Sequence, residues 1–182
     1  PICGASCRMV AVWRGNTNNS IMYNTMLIQG GHEIFHLYQQ ELWGQRWADV
    51  PDWVREGGAN VGMSIISTHF DGKKTFPDYG AAAAAEKSSR DRGSCAAALD
   101  KWESNQKSEG FGFNNGCEYG LGSIMNEILV MKGFTLKDHL LLIKTIGLGT
   151  DFPLAFEQVY KMSTAQYFTE LRAYLKTLNY GW

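Results

Sequence analysis

The sequence predicts a single α+β domain with a small N-terminal sheet, a long helix carrying the chemistry and a helical C-terminal lobe enclosing a cleft. Three observations predict it. Residues Arg8–Arg14 (Arg-Met-Val-Ala-Val-Trp-Arg) are β-branched and aromatic and stop at Gly15-Asn16, the signature of a strand. Around His32 the apolar residues switch to a helical period, with Leu27, Gly31, Ile34, Tyr38 and Leu42 marking the side expected to be buried. From Cys117 onward, stripes at helical spacing follow one another almost to the C-terminus. With 182 residues and 45% hydrophobic content, one domain can build a core.

After the strand, Asn16–Ser20 reads as a polar turn. The helix that follows contains His32-Glu33-Ile34-Phe35-His36. One helical turn separates the two histidines, so both imidazoles project from one face and can clamp one divalent metal, with zinc expected. Glu33 stands beside the first ligand, where its carboxylate can reach a metal-bound water and take its proton. Trp43–Trp47 reads as a loop rich in large rings.

A second helix is expected to follow Pro51, with Val54, Gly58, Val61 and Ile65 as its apolar stripe and Glu56 and Asn60 one turn apart on another face. If the two helices pack together, Glu56 can be the third protein ligand, and Asn60 can orient a ligand from behind. The competing reading makes Glu56 a helix-start carboxylate favoured by the dipole. Gly57 and Gly58 would permit the close approach of the two helices.

His32-Glu33-x-x-His36 followed by Trp53-x-x-Glu56-Gly57-x-Ala59 resembles the gluzincin metallopeptidases, the group that includes thermolysin and the zinc aminopeptidases. The form beginning at Pro51 is similar to the basic-secretory-protein-like peptidases in particular. The resemblance covers residues 26–66 and extends more weakly over the C-terminal half. It implies a zincin, thermolysin-like catalytic domain with Zn2+ on His32, His36 and Glu56 and with Glu33 as general base. It also implies that the upstream strand forms the edge of the cleft. In gluzincin aminopeptidases a Tyr opening a Tyr-x-x-Gly helix donates to the oxyanion, and Tyr119-Gly120-Leu121-Gly122 is similar. Tyr119 is therefore a candidate for that role, with Tyr79 second and a core or surface tyrosine as the alternative. The family's aminopeptidases hold the substrate amine with an upstream acid, whereas no Asp or Glu precedes Glu33 here. An endopeptidase is expected, unless a later carboxylate such as Glu118 substitutes. A zinc aminopeptidase and an inactive zinc-binding interaction module are the alternatives.

Residues 71–116 are the least legible. Turns are expected at Asp71–Lys74 and Pro77–Gly80, helices over Ala81–Ala85 and near Ala96–Glu103, and an aromatic loop at Phe111–Gly116. This segment is expected to flank the cleft. Beyond it, Leu121, Ile124, Met125, Ile128 and Leu129 form a stripe closed by Gly133. Thr135 opens a further helix with Leu136, Leu140 and Ile143, ending at Gly147. Asp151–Tyr160 is another, and Ser163–Gln166 is a capping box for the last. The domain thus divides into 1–50 (edge strand and metal helix), 51–70 (third-ligand helix), 71–116 (variable segment) and 117–182 (helical lobe). His139 reads as a core or boundary histidine, and His69 has no partner motif.

A net charge of −1 without a basic stripe argues against nucleic acid or an anionic membrane surface as main partner, and the resemblance implies a peptide or protein substrate. No apolar run approaches a membrane span. Cys3, Cys7, Cys95 and Cys117 allow three pairings; Cys95–Cys117 with Cys3–Cys7 is preferred, against four free thiols in a reducing compartment. Secretion is the expected localisation. The chain begins at Pro1 with no signal-like segment, as a processed product or an excised piece would.

Overall fold

The computed structural model of the chain describes residues 19–71, 92–108 and 117–178. Seven α-helices occur among them: α1 (Asn19–Trp43), α2 (Asp52–Asp71), α3 (Arg92–Asn105), α4 (Cys117–Met131), α5 (Leu136–Gly147), α6 (Phe152–Tyr160) and α7 (Thr164–Thr177). The described residues contain no strand, so the α+β expectation is overturned. Faces that an α+β domain would cover with a sheet are covered here by other helices. α2 lies against α4 along one side and α1 along another, and α5 packs against α1. The strand expected at Arg8–Arg14, the helix at Ala81–Ala85, the loop at Phe111–Gly116, the Cys3–Cys7 pairing, Tyr79 and the His69 side chain lie outside the described residues.

α2 is the centre of the fold, and every residue from Pro51 to Ala59 is buried. Trp53 roots its first turn in an aromatic cluster supplied by the C-terminal helices. Its ring stacks on Tyr167 at 5.5 Å and meets Phe152 and Phe156 edge-on. The Tyr167 hydroxyl donates to the Met125 carbonyl at 2.7 Å, which ties α7 to α4 at the same place. Contacts of this kind combine apolar burial with ring–ring attraction and fix the position of α2 along its axis.

The close helix approach anticipated at Gly57 and Gly58 is present, but not toward α1. A Cβ on Gly57 would sit 2.2 Å from the Gly122 carbonyl oxygen, so α2 and α4 meet backbone to backbone. Asn126 bridges the contact by donating to the Trp53 carbonyl at 3.1 Å. Because the obstacle is main chain, Gly57→Ala must push the helices apart. We expect a loss of about 3 kcal/mol, the upper end for overpacking. It would be measured as a lower urea midpoint at unchanged slope.

Gly58 faces α5, where its missing Cβ leaves room for the His139 imidazole. His139 is buried, its Nε2 has no hydrogen-bond partner among the described residues, and burial pushes its pKa down to about 4 from 6.5. Between those values the unfolded chain binds a proton that the native chain does not. Stability is therefore full above pH 6.5 and falls as pH drops to about 4, by about 3 kcal/mol for this group. Urea titrations with metal chelated should show that loss in the wild type and a correspondingly flatter curve in His139→Leu.

The apolar stripe assigned to α1 is displaced. Ile34 is 44% and Tyr38 62% exposed, whereas His32, Phe35, Gln39 and Trp43 are buried. The buried face of α1 thus carries polar groups, and the reason appears in the site below. The segment read as a ring-rich loop at Trp43–Trp47 continues as a short 3-10 helix over Gly44–Asp49. α3 is longer than the stretch Ala96–Glu103 marked out for it, and Cys95 on it is bonded to Cys117 at the start of α4. A disulfide is compatible with an extracellular protein. No helix among the described residues is long and apolar enough to cross a membrane.

The C-terminal helices follow the sequence closely. Thr135 and Asp138 form a reciprocal capping box on α5, and Gly133 takes the positive φ (+92°) that closes α4. On α7 only half of the expected box exists: the Ser163 side chain accepts from the Gln166 amide.

Candidate metal centre

α1 and α2 bring His32, His36 and Glu56 together. Among the described residues these three form the cluster of ligating groups close enough to share one ion. His32 Nε2 and His36 Nε2 lie 3.0 Å apart, and Glu56 Oε2 lies 3.2 and 3.1 Å from them. The two rings stand edge to face, as residues one turn apart on a helix do when both point at one spot.

Two amide side chains determine what those nitrogens carry. Asn60 Nδ2 donates to the Tyr119 carbonyl and to Ser123 Oγ, each at 3.0 Å. A carbonyl can only accept, so the amide nitrogen must face it, and Asn60 Oδ1 is left toward His32 Nδ1 at 2.9 Å. Gln39 Nε2 likewise donates to the Arg55 carbonyl at 2.9 Å, which turns Gln39 Oε1 to His36 Nδ1 at 2.7 Å. Both histidines therefore carry their proton on Nδ1. In the neutral rings each Nε2 presents a lone pair, and Glu56 Oε2 presents another.

Three acceptors thus converge with no hydrogen between them. That arrangement is repulsive unless a metal cation sits among them or a further proton on one Nε2 is donated to Glu56 Oε2. A tetrahedral zinc site with bonds of about 2.0–2.1 Å has ligand atoms about 3.3 Å apart, close to the separations seen here. The donor set, two imidazoles and one carboxylate, also suits zinc better than the oxygen-seeking ions. The residues fit the metal expected from the sequence.

A proton is the metal's competitor for the same position. Glu56 is only 2% exposed, and burial alone would raise its pKa. When a proton and not a metal fills the position, hydrogen bonds from His32 and His36, with the charges of a protonated His36 and of Arg55, outweigh burial and hold the carboxyl well below the usual range. Tyr119 lines the same cleft, as do Glu33, Gln40 and Trp43. Burial, then the charges of Glu56, Glu118 and Glu33, push the Tyr119 hydroxyl up to about 12, so it keeps its proton at any physiological pH. The six residues singled out from the sequence (His32, Glu33, His36, Glu56, Asn60 and Tyr119) are all gathered here. Two were missed. Gln39 lies three residues beyond His36, and an amide on an otherwise buried helix face was the available signal; Arg55 had none beyond its place beside Glu56.

No protein-family model, curated protein or solved structure matches this chain. With the described residues all helical, the resemblance to the gluzincins and to the basic-secretory-protein-like peptidases is not upheld; a thermolysin-like domain is α+β. Two packed helices bring His32, His36 and Glu56 together here within a helical domain.

Proposed function

We propose that this chain is a zinc-dependent hydrolase that cleaves peptide bonds internally, as an endopeptidase. The observation that carries the reading is the convergence of three lone pairs from His32, His36 and Glu56 in a cleft that also holds Glu33 and Tyr119. A zinc ion held by the three ligands would supply Lewis-acid polarisation of the scissile carbonyl and acidify a water.

The remaining steps belong to the chain's own groups. Glu33 takes the proton of the attacking water and returns it to the departing amine, so it must be ionised at the start and protonated midway. Tyr119, protonated throughout, donates a hydrogen bond to the oxygen of the attacked carbonyl as it gains charge. Asn60 and Gln39 keep the two imidazoles in one tautomer and orientation. The Cys95–Cys117 disulfide supports a secreted protein, which would meet its peptide substrates outside the cell.

Hydrolysis of an internally quenched peptide blocked at both ends tests the reading. Cleavage that a chelator abolishes and zinc restores is expected; cleavage restricted to free-amine peptides would instead make the enzyme an aminopeptidase. Tyr119→Phe should lower kcat by about 100-fold, as loss of one oxyanion donor does, with zinc content unchanged. An unaltered rate would leave Tyr119 a wall of the cleft and nothing more.

A further inference from the structure

Behind Glu56 lies a buried charged chain that neither the ligand set nor the proposed proton transfers use. Arg55 Nε donates to Glu56 Oε1 at 3.1 Å, its Nη2 pairs with Asp52 Oδ1 at 2.8 Å, and its Nη1 donates to Ser108 Oγ at 3.1 Å. Ser108 in turn donates to Asp52 Oδ1 at 2.7 Å. Ser108 is distant in sequence and is brought here by its backbone amide, which donates to the Ala48 carbonyl. Arg55 and Asp52 are almost fully buried, at 4% and 1% exposure.

We infer that Arg55 is a positioning residue that restricts Glu56 to a single ligating oxygen and thereby makes the site selective for a four-coordinate ion. The inference rests on the metal site proposed above. A free carboxylate can bind a cation through one oxygen or both, and two-oxygen binding favours ions of higher coordination number. Here Oε1 is held by a guanidinium whose other nitrogens are held by Asp52 and Ser108, so its position is fixed from three sides. Only Oε2 faces the two Nε2 atoms. The planar fork is what the arrangement requires: a lysine supplies the same charge from one point and cannot span the three partners. Four-coordinate binding suits zinc, whereas magnesium and calcium demand six or more oxygens.

The test is cobalt(II) absorption and zinc affinity of the full chain, for the wild type, Arg55→Lys and Ser108→Ala. The wild type should give the intense visible bands of four-coordinate cobalt. Arg55→Lys should give the weak bands of higher coordination and bind zinc about 10- to 100-fold less tightly, the usual cost of losing an outer partner. Ser108→Ala, which leaves the Arg55–Asp52 pair in place, should shift both readouts in the same direction by a smaller amount. It decides the matter if Arg55→Lys does not fold. Wild-type spectra and affinity in the folded variants would overturn the inference while leaving the metal site standing. Failure of the wild type to take up cobalt or zinc at all would overturn the metal site itself.

Discussion

Replacing Glu33 by glutamine is expected to leave zinc content and stability unchanged and to lower kcat for blocked peptides by about 1,000-fold, within the range for losing a general base. The amide keeps the shape and hydrogen-bonding reach of the carboxylate but cannot take a proton from water. Glu33 lines the cleft without belonging to the ligand cluster, so its removal leaves the three converging lone pairs in place. Turnover should fall with KM little changed, because the lost interaction is made in the transition state. Retention of wild-type turnover with zinc bound would remove Glu33 from the mechanism and leave the cleft without an assigned proton acceptor.

Replacing Glu56 by glutamine is expected to act in the opposite way, abolishing metal uptake while preserving the fold. Glutamine Oε1 can still accept from Arg55, and its amide nitrogen can donate toward the two histidine Nε2 lone pairs. The three-acceptor conflict then disappears without an ion. Metal affinity should drop by more than the about 100-fold that loss of an outer-shell partner costs, since a ligand itself is gone. In the presence of a chelator at neutral pH, Glu56→Gln should be less stable than the wild type toward urea, because the ionised carboxylate held by Arg55 and the histidines is gone. A variant at least as stable as the chelated wild type would mean that the Glu56 charge serves a metal and not the fold.

The sequence was most legible where a local rule acts alone. α4 to α7 have their caps and apolar stripes written in adjacent residues, as in the Thr135–Asp138 box and the left-handed Gly133. The clustering of His32, His36 and Glu56 was legible for a related reason: helical spacing alone places His32 and His36 on one face, and Glu56 and Asn60 on one face of the next helix. The fold class was not, because a short β-branched run says nothing about what covers the other faces of α1 and α2. In the described residues helices cover them. The buried side of α1 was misread for a chemical reason. Its inward face carries His32 and Gln39, whose polar atoms are satisfied across the helix interface, so the apolar residues Ile34 and Tyr38 fall on the exposed side. An apolar count sees only hydrophobic residues and assigns the wrong face when the buried face carries polar groups, as here. Arg55, Asp52 and Ser108 could not have been grouped from the sequence, since only the folded chain brings Ser108 beneath the site.

The most direct measurement is zinc stoichiometry and affinity of the chelator-stripped full chain, taken alongside Glu56→Gln, by elemental analysis and competition titration. One zinc per wild-type chain, bound tightly and not displaced by excess magnesium, with none retained by the variant, is the result that three converging lone pairs require. Absence of zinc from the wild type, or equal uptake by both proteins, would contradict the metal centre.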